Sequence, residues 1–287
     1  MQQHCLEACD RLDSRQFLIA VKKLANDLGY GSDRSPFLGA GIEYVQSRRY
    51  EIGDPIKSID WRVTARTGQF HVKEYESPKR MPVYLLIDTS ASMTIASGQL
   101  SKYAQALQIA GGIAFAALER ISPVGVVGVG ERDLVIKPSL SKDRILQWLH
   151  RLRYYRIDET TRLGDKLNNL LPSLASRALI ITISDLHDPE AMSVLKLAAQ
   201  KHDCITLQLV DPAEKTLRGA GFVRVREAET GVSSIVRNNP GIKEPESLVD
   251  ELSRAGIDHL CLWTHEPMVH KLRNFFKSRS LLGRNAR

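Results

Sequence analysis

The sequence predicts an α/β fold: a doubly wound, mostly parallel sheet with helices on both faces, preceded by a small N-terminal helix and a β-rich subdomain. From residue 82 onward, short continuous apolar runs alternate with helical stretches, the pattern of parallel strands that are buried on both faces. Two of these runs end in an aspartate, at Asp88 and Asp185. Upstream of residue 82 the sequence carries many glycines, arginines and turn-forming residues instead.

The N-terminal part begins with a predicted amphipathic helix. Residues 14–28 place apolar side chains at helical spacing, and Gly29 ends the run. Residues 42–80 contain short strand-like pieces separated by turns such as Gly53-Asp54-Pro55. We therefore divide the chain into an N-terminal block at 1–80, an α/β domain at 81–280 and a tail at 281–287.

The α/β domain alternates between predicted strands and predicted helices. Strands are expected at 83–87, 124–129, 178–183, 204–210 and 258–263, with a hairpin or edge strand at 134–136. Helices are expected at 102–120, 142–152, 163–174, 190–202, 246–255 and 267–279. An insertion near 220–240 is typical of a β-hairpin that pairs 222–226 with 233–237. This order builds a parallel sheet with helices on both faces.

The composition is that of a soluble globular protein. Of 287 residues, 43% are hydrophobic and 25% are charged, and 40 Lys and Arg against 33 Asp and Glu leave a net charge of +7. A basic balance permits nucleic acid, anionic lipid or an acidic protein as partner. The charges are scattered, however, and the densest basic stretch lies at the C-terminus, where we interpret it as a solvated helix end.

The chain is expected to be cytoplasmic. Its four cysteines show neither zinc-ligand spacing nor a disulfide framework, so we interpret them as reduced thiols. The N-terminus has no apolar signal core. The most apolar stretch, 104–130, is interrupted by polar residues and is too polar to span a bilayer, so no membrane span is expected.

A polar cluster follows the first apolar strand of the α/β domain. Asp88 comes directly after the strand, and Ser90 and Ser92 place hydroxyls at alternate positions behind it. Ligands of such sheets bind at the carboxyl ends of the strands, where Asp185 also lies. The cluster can form an all-oxygen site for a hard cation such as Mg²⁺. A plainer interpretation is that Asp88 caps the following helix and that the serines belong to a turn.

The segment Asp88-Thr-Ser-Ala-Ser-Met93 resembles the metal-ion-dependent adhesion site of von Willebrand factor A domains. The resemblance implies a von Willebrand A, Rossmann-like fold. It also implies that Ser90, Ser92 and Thr161 bind the cation directly, whereas Asp88 and Asp185 act mostly through water. Thr160 is the alternative to Thr161. Mg²⁺ is the expected cation, with Mn²⁺ and Ca²⁺ as alternatives.

The block upstream carries a second resemblance. It contains the segments 39–43, 48–54, 59–62, 65–68 and 72–75, of which 48–54 reads Arg-Arg-Tyr-Glu-Ile-Gly-Asp. These segments are similar to the hallmark of the bacterial "domain of unknown function 58" family, which places such a block before a von Willebrand A domain. The resemblance covers about residues 35–279. It implies a protein-binding adaptor that cooperates with a MoxR-type AAA+ ATPase in protein maturation or remodelling.

Two interpretations of this block remain open. In the favoured one, it is a small β-subdomain that Arg–Asp pairs hold together, with Trp61 in its core. In the other, it is a partner-docking face, because Arg, Tyr and Trp are common at protein interfaces. The residues concerned are Arg48, Tyr50, Asp54, Asp60, Trp61 and Arg62.

Three functions compete, of which we favour a metal-dependent adaptor that binds a partner's acidic residue. The alternatives are a metal-dependent hydrolase and a basic nucleic-acid-binding protein. The sequence contains neither a phosphate-binding Gly-x-x-x-x-Gly-Lys-Ser/Thr loop nor a Gly-x-Ser-x-Gly elbow. The glycines at 125–130 lie inside a strand and do not open a helix. His187 is interpreted as an exposed loop residue, and no enzymatic activity is expected.

Overall fold

A six-stranded sheet forms the centre of the structure. The computed structural model describes residues 4–5, 14–29, 43–54, 56–76, 81–94, 96–98, 100–155, 159–216, 223–226, 233–236 and 245–281. Its strands are β1 (His4–Cys5), β2 (Glu43–Arg49), β3 (His71–Glu76), β4 (Val83–Ile87), β5 (Val124–Gly128), β6 (Val135–Ser139), β7 (Tyr154–Tyr155), β8 (Leu179–Ser184), β9 (Asp203–Val210), β10 (Val223–Arg226), β11 (Ser233–Val236) and β12 (Asp258–Trp263). Its α-helices are α1 (Ser14–Gly29), α2 (Trp61–Thr67), α3 (Lys102–Glu119), α4 (Lys142–Leu152), α5 (Leu163–Leu170), α6 (Ala191–Ala199), α7 (Pro212–Thr216), α8 (Pro245–Arg254) and α9 (Met268–Leu281).

The central sheet has the strand order β12-β9-β8-β4-β5-β6. All neighbours are parallel except the edge strand β6, which runs antiparallel to β5. The chain adds β5 and β6 on one side of β4 and then returns to place β8, β9 and β12 on the other side. The strand order therefore reverses between β4 and β8. These findings confirm the predicted α/β fold with a mostly parallel sheet.

Helices cover both faces of the sheet because the side chains of each strand alternate between two apolar layers. Leu85 and Ile87 face one layer, which contains the apolar sides of α1, α3, α4 and α9. Leu86 and Ile180 face the other layer, together with apolar residues of α5, α6 and α8. The buried apolar runs thus explain why the central strands show no alternation of polar and apolar residues.

Helix α1 packs closely on α3 within the first of these layers. A Cβ atom at Gly112 would come within 2.7 Å of the Leu24 side chain, and one at Gly111 within 2.8 Å of Val21. Both partners on α1 are buried. The two glycines therefore allow a close approach that a larger residue would block.

The N-terminal block contains a helix that the sequence analysis missed. Strands β2 and β3 pair antiparallel, as the strand-like pieces indicated, but α2 lies between them. The Asp60 carboxylate caps α2 by accepting hydrogen bonds from the backbone N–H groups of Arg62 and Val63. Gly68, at φ 72°, ends the helix in the left-handed region. These are ordinary start and stop signals, so the helix was predictable.

Further along the chain, β10 and β11 pair antiparallel, as expected of the insertion near 220–240. The turn that joins them and the tail beyond residue 281 lie outside the described residues. No helix in the described part of the chain has the length and apolar character needed to cross a membrane.

Candidate metal centre

Asp88 and Asp185 leave neighbouring strands at the same edge of the sheet. Ile87 at the end of β4 lies beside Ile183 of β8, and the backbone N–H of Asp88 donates to the Ile183 carbonyl at 3.0 Å. This edge holds the carboxyl ends of the parallel strands, at the place where the strand order reverses. That place is the usual ligand site of an open α/β sheet.

The residues that follow Asp88 fold back onto its carboxylate. The Ser90 backbone N–H donates to Asp88 Oδ1 at 3.0 Å, and the Ser90 and Ser92 hydroxyls lie 3.0 Å apart. The Ser184 hydroxyl donates to Asp88 Oδ2 at 2.5 Å. All four side chains are buried. The predicted motif is therefore a compact cluster of oxygen atoms, held by the turn and by the end of β8.

Asp185 carries an ion pair that the sequence analysis did not predict. The Lys102 ammonium, at the first position of α3, lies 2.8 Å from Asp185 Oδ2 and also pairs with Glu214 of α7. His187 Nδ1 lies 3.3 Å from the same oxygen, so this histidine contacts the site although it is exposed. Asp185 Oδ1 is buried and has no hydrogen-bond partner among the described residues. One carboxylate oxygen is thus neutralised and the other is left unpaired.

Burial and mutual repulsion set the electrostatics of the two aspartates. Burial and the nearby Asp185 charge raise the pKa of Asp88 to about 7, although hydrogen bonds from Ser184 and Ser90 counteract the rise. Burial also raises the pKa of Asp185, but the charges of Lys102 and His187 outweigh it and hold that pKa below its usual range. The pair therefore has a clear order of ionisation, with Asp185 first.

The charge of Lys102 depends on the same acids. Burial lowers the pKa of the Lys102 ammonium, but the charges of Asp185 and Glu214 outweigh this effect and raise the pKa above its ordinary value. Lys102 is therefore a permanent cation in the site. It shares its charge between two carboxylates and so does not neutralise both.

The loop that carries Thr161 is fixed at two points, one on the Asp88 motif and one on the residue that follows β5. The backbone N–H of Ala91 donates to the Glu159 carbonyl at 2.8 Å, and that of Arg162 donates to Val129 at 2.7 Å. Between these points, Thr161 is half-buried at the same edge of the sheet. The Thr160 hydroxyl donates to Glu131 at 3.0 Å, on the exposed side.

A buried carboxylate beneath this loop joins it to the Asp88 turn. The Thr89 hydroxyl donates to Glu159 Oε2 at 3.0 Å, and Arg132 Nε lies 2.5 Å from Glu159 Oε1. Gly130 lies against the hydrogen bond between Thr89 and Glu159, since a Cβ atom there would come within 2.2 Å of Thr89 Oγ1. The loop and the turn therefore hold each other in place, and Gly130 leaves the space for their contact.

The donor set of this cluster suits a hard cation. It offers carboxylate and hydroxyl oxygens, which are the ligands that Mg²⁺ and Ca²⁺ prefer. Across the described ranges, no group of three or more His, Cys, Asp or Glu residues could hold a metal ion, so a cation here would depend on the hydroxyls. The unpaired, buried Asp185 Oδ1 is the atom that a cation would satisfy.

The residues of the possible docking face are only partly connected. Arg48 forms a two-pronged ion pair with Asp54, with both N···O distances at 2.7 Å, as the Arg–Asp interpretation expected. Asp60 accepts from the Ser47 hydroxyl at 2.7 Å in addition to capping α2. The backbone N–H of Tyr50 donates to the Phe70 carbonyl at 2.9 Å.

The favoured position of Trp61 was wrong. Its side chain does not fill a core: the residue is 63% exposed and meets the exposed Phe70 ring edge to face, with the centroids 6.4 Å apart. Arg62, the next residue on α2, is exposed as well. The reason is that α2 is a short helix that buries none of its residues.

The comparisons with known proteins give a family and distant relatives. A family model described as "Protein of unknown function DUF58" matches residues 46–244. The uncharacterized protein Mb1516 of Mycobacterium bovis is 24% identical over 250 residues, which cover 85% of this chain and 77% of the relative. The uncharacterized protein Rv1480 of Mycobacterium tuberculosis matches with the same figures. Because the family model covers more than half of the chain, this protein belongs to the DUF58 family.

Proposed function

We propose that this protein is a metal-dependent adaptor whose von Willebrand A-type domain binds an acidic residue of a partner protein through a divalent cation. The cation is Mg²⁺ first, with Mn²⁺ or Ca²⁺ as substitutes. Its ligands are Asp88, Ser90, Ser92, Thr161 and Asp185. The observation that carries the proposal is the buried, unpaired Asp185 Oδ1, which lies at the same sheet edge as Asp88 and the linked serine hydroxyls.

The charges of the site favour a cation. Asp88 and Asp185 are both buried, and burial together with the charge of Asp185 raises the pKa of Asp88. Lys102 pairs with Asp185 Oδ2 but also with Glu214, so it leaves negative charge uncompensated. A divalent cation between the two aspartates would let both ionise and would satisfy the unpaired oxygen.

The placement of the loop favours Thr161 over Thr160 as the ligand. The Thr160 hydroxyl donates to Glu131 on the exposed side of the loop. Thr161 lies between two residues whose backbones are fixed to the Asp88 turn and to the end of β5. A loop held in this way can present a hydroxyl to the site without losing much conformational entropy.

The small number of carboxylates favours binding over catalysis. The two aspartates match the charge of a divalent cation without exceeding it, and the five proposed ligands would leave one position of octahedral Mg²⁺ open, so a carboxylate from outside would complete its coordination. The chain's own residues hold and orient: Ser184 fixes Asp88, and Lys102 fixes Asp185. His187 already contacts Asp185, which gives it a structural partner instead of a free position as a base.

The partner we propose is a MoxR-type AAA+ ATPase, with which the protein would act in protein maturation or complex assembly. This partner is what the resemblance of the upstream segments to the DUF58 family implies, and the chain belongs to that family. The exposed aromatic residues Trp61 and Phe70 on the N-terminal block provide a second binding surface for such a partner, in addition to the metal centre.

Calorimetric titration with Mg²⁺ and Mn²⁺ tests the site. The wild-type protein should bind one cation, whereas Asp88→Ala and Ser90→Ala should bind none. Both variants should remain folded, since removing Asp88 relieves its repulsion with Asp185. The control is Asp133→Ala, which removes a carboxylate whose side chain is 90% exposed and should leave binding unchanged. Wild-type affinity in both site variants would refute the assignment.

A pull-down with and without Mg²⁺ tests the adaptor function. Partner proteins should be retained by the wild type in Mg²⁺, and they should be lost in chelator or with Asp88→Ala. Partners that bind equally under all three conditions would show that docking does not use the cation.

A further inference from the structure

A small pocket opens beside the candidate metal centre. Its volume is about 170 Å³, and Asp185 belongs to its wall. Most of the remaining wall is apolar and comes from Leu186, Met192, Leu195 and Leu248. Leu195 and Leu248 are buried, whereas Leu186 and Met192 are half-buried at the opening. A ligand that reaches Asp185 therefore meets an apolar surface next to it.

Apart from the unpaired Asp185 Oδ1, the polar groups in the pocket wall have partners within the protein, and His187 Nδ1 lies 3.3 Å from Asp185 Oδ2. Asp188 accepts from the backbone N–H groups of Gly164 at 2.8 Å and Glu190 at 2.9 Å. Gln208 contacts His259 at 3.1 Å and the Asp185 carbonyl at 3.5 Å. With these groups engaged, the pocket offers a ligand mainly its apolar wall, and it selects for an apolar group.

The backbone at the pocket mouth is strained. Leu186 has φ 62°, a left-handed conformation that is unfavourable for a residue with a Cβ atom. Its backbone N–H donates to the Ser184 hydroxyl at 3.0 Å, and that hydroxyl donates to Asp88. The strained turn thus connects the pocket wall directly to the metal centre. Strained backbone of this kind is concentrated at binding and catalytic sites.

We propose that this pocket receives an aliphatic side chain of the partner, from the residue next to the acidic residue that completes the metal centre. The recognised motif is then an Asp or Glu adjacent to a Leu, Ile or Met. The size agrees, because a cavity of about 150 Å³ admits an apolar group as large as benzene. This inference rests on the proposed function and specifies its partner chemistry.

Short peptides bound to the Mn²⁺-loaded protein test the proposal. The probes are Ac-Gly-Asp-Leu-Gly-NH2 and Ac-Gly-Leu-Asp-Gly-NH2, compared with Ac-Gly-Asp-Gly-Gly-NH2 and Ac-Gly-Asn-Leu-Gly-NH2. Paramagnetic broadening of the peptide protons reports binding near the cation. Either the Asp-Leu or the Leu-Asp peptide should bind at least about tenfold more tightly than the Asp-Gly peptide, which lacks the aliphatic side chain, because the pocket discriminates aliphatic groups by size. The asparagine peptide should not bind.

A pair of variants on α6 locates the effect. Met192→Trp fills the pocket mouth and should remove the advantage of leucine over glycine while Mn²⁺ binding persists. Leu197→Trp changes the same helix at a position that is 52% exposed and outside the pocket, and it should keep the advantage. Equal binding of the leucine and glycine peptides, with the asparagine peptide still rejected, would refute the pocket but not the adaptor. Binding that ignores the carboxylate would refute both.

Discussion

The Lys102 ammonium lies 2.8 Å from Asp185 Oδ2, and neither side chain is more than 1% exposed. Lys102 occupies the first position of α3, where the helix dipole disfavours a cation. Asp185 and Glu214 must therefore supply the attraction that keeps the ammonium there. The site thus contains its own positive charge, which fixes Asp185 in the absence of any bound ion.

Replacing Lys102 should lower the free energy of unfolding, and a bound divalent cation should restore part of that loss. Lys102→Met leaves Asp185 and Glu214 without their counter-charge, and breaking a buried ion pair costs about 3–5 kcal/mol. We expect a loss of that size in the free energy of unfolding in chelator, measured by urea denaturation. Added Mg²⁺ should stabilise the variant more than it stabilises the wild type.

The matched control is Lys196→Met. Lys196 pairs with Glu251 at 2.8 Å, but its side chain is 44% exposed. A surface pair of this kind contributes roughly 0–1 kcal/mol, so little change is expected. If Lys102→Met were no more destabilising than Lys196→Met, the buried pair would have no structural role.

The two tryptophans Trp61 and Trp148 should respond very differently to truncation. Trp148 of α4 is 2% exposed within the core, and Trp148→Ala should cost about 3–5 kcal/mol in the free energy of unfolding. Trp61 is 63% exposed, so Trp61→Ala should change stability by about 1 kcal/mol or less. Its effect should appear instead as weaker retention of partners in the pull-down. A large loss of stability with Trp61→Ala would indicate instead that the Trp61 side chain packs within a core.

Asp211 should contribute stability that depends on pH. Burial raises its pKa, but hydrogen bonds from Thr264, Ser97 and Ala213 outweigh burial and hold the pKa below the ordinary 3.8. Because the folded-state pKa is lowered, the contribution is complete above 3.8 and is lost as the pH falls through the lowered value. Asp211→Asn should therefore be less stable than the wild type at neutral pH, and the difference should shrink in acid.

Urea denaturation across a series of pH values measures this difference. The control Asp133→Asn changes a carboxylate with 90% side-chain exposure and should follow the wild type at every pH. A difference between Asp211→Asn and the wild type that stayed constant down to strong acid would contradict the assignment.

Gly112 should tolerate no side chain. An added Cβ would lie 2.7 Å from Leu24 Cδ2 and Cγ, so α1 would have to move away from α3. Overpacking of this kind costs about 1–3 kcal/mol, which should exceed the gain in helix propensity of about 1 kcal/mol. Thermal unfolding of Gly112→Ala should show a lower midpoint. Gly98→Ala is the control, since nothing lies within 4 Å of a Cβ there.

The sequence could predict the sheet and the two aspartates because both follow from local pattern. A continuous apolar run defines a buried strand, and the residue after it must lie at the carboxyl edge of a parallel sheet. Asp88 and Asp185 were found in this way. Lys102 could not be found, because its partner lies 83 positions away and no local spacing connects them.

The error at Trp61 has a different origin. A tryptophan usually brings apolar area into a core, so residue type favoured burial. Whether it is buried depends on what packs against α2, and residue type contains no information about that. Asp60 and Gly68 are capping residues that predict helix α2. The strand-like sequence on either side of them favoured strands instead.

The packing of α1 on α3 has a consequence for how the chain folds. Helix α1 also contacts α9, so the earliest long helix of the described chain meets the latest one. Contacts between such distant segments form slowly, because a long loop must close before they contribute free energy. During synthesis, Val21 and Leu24 of α1 can therefore pack only after α3 has been made. The core is completed only after Leu272 and Phe276 have left the ribosome.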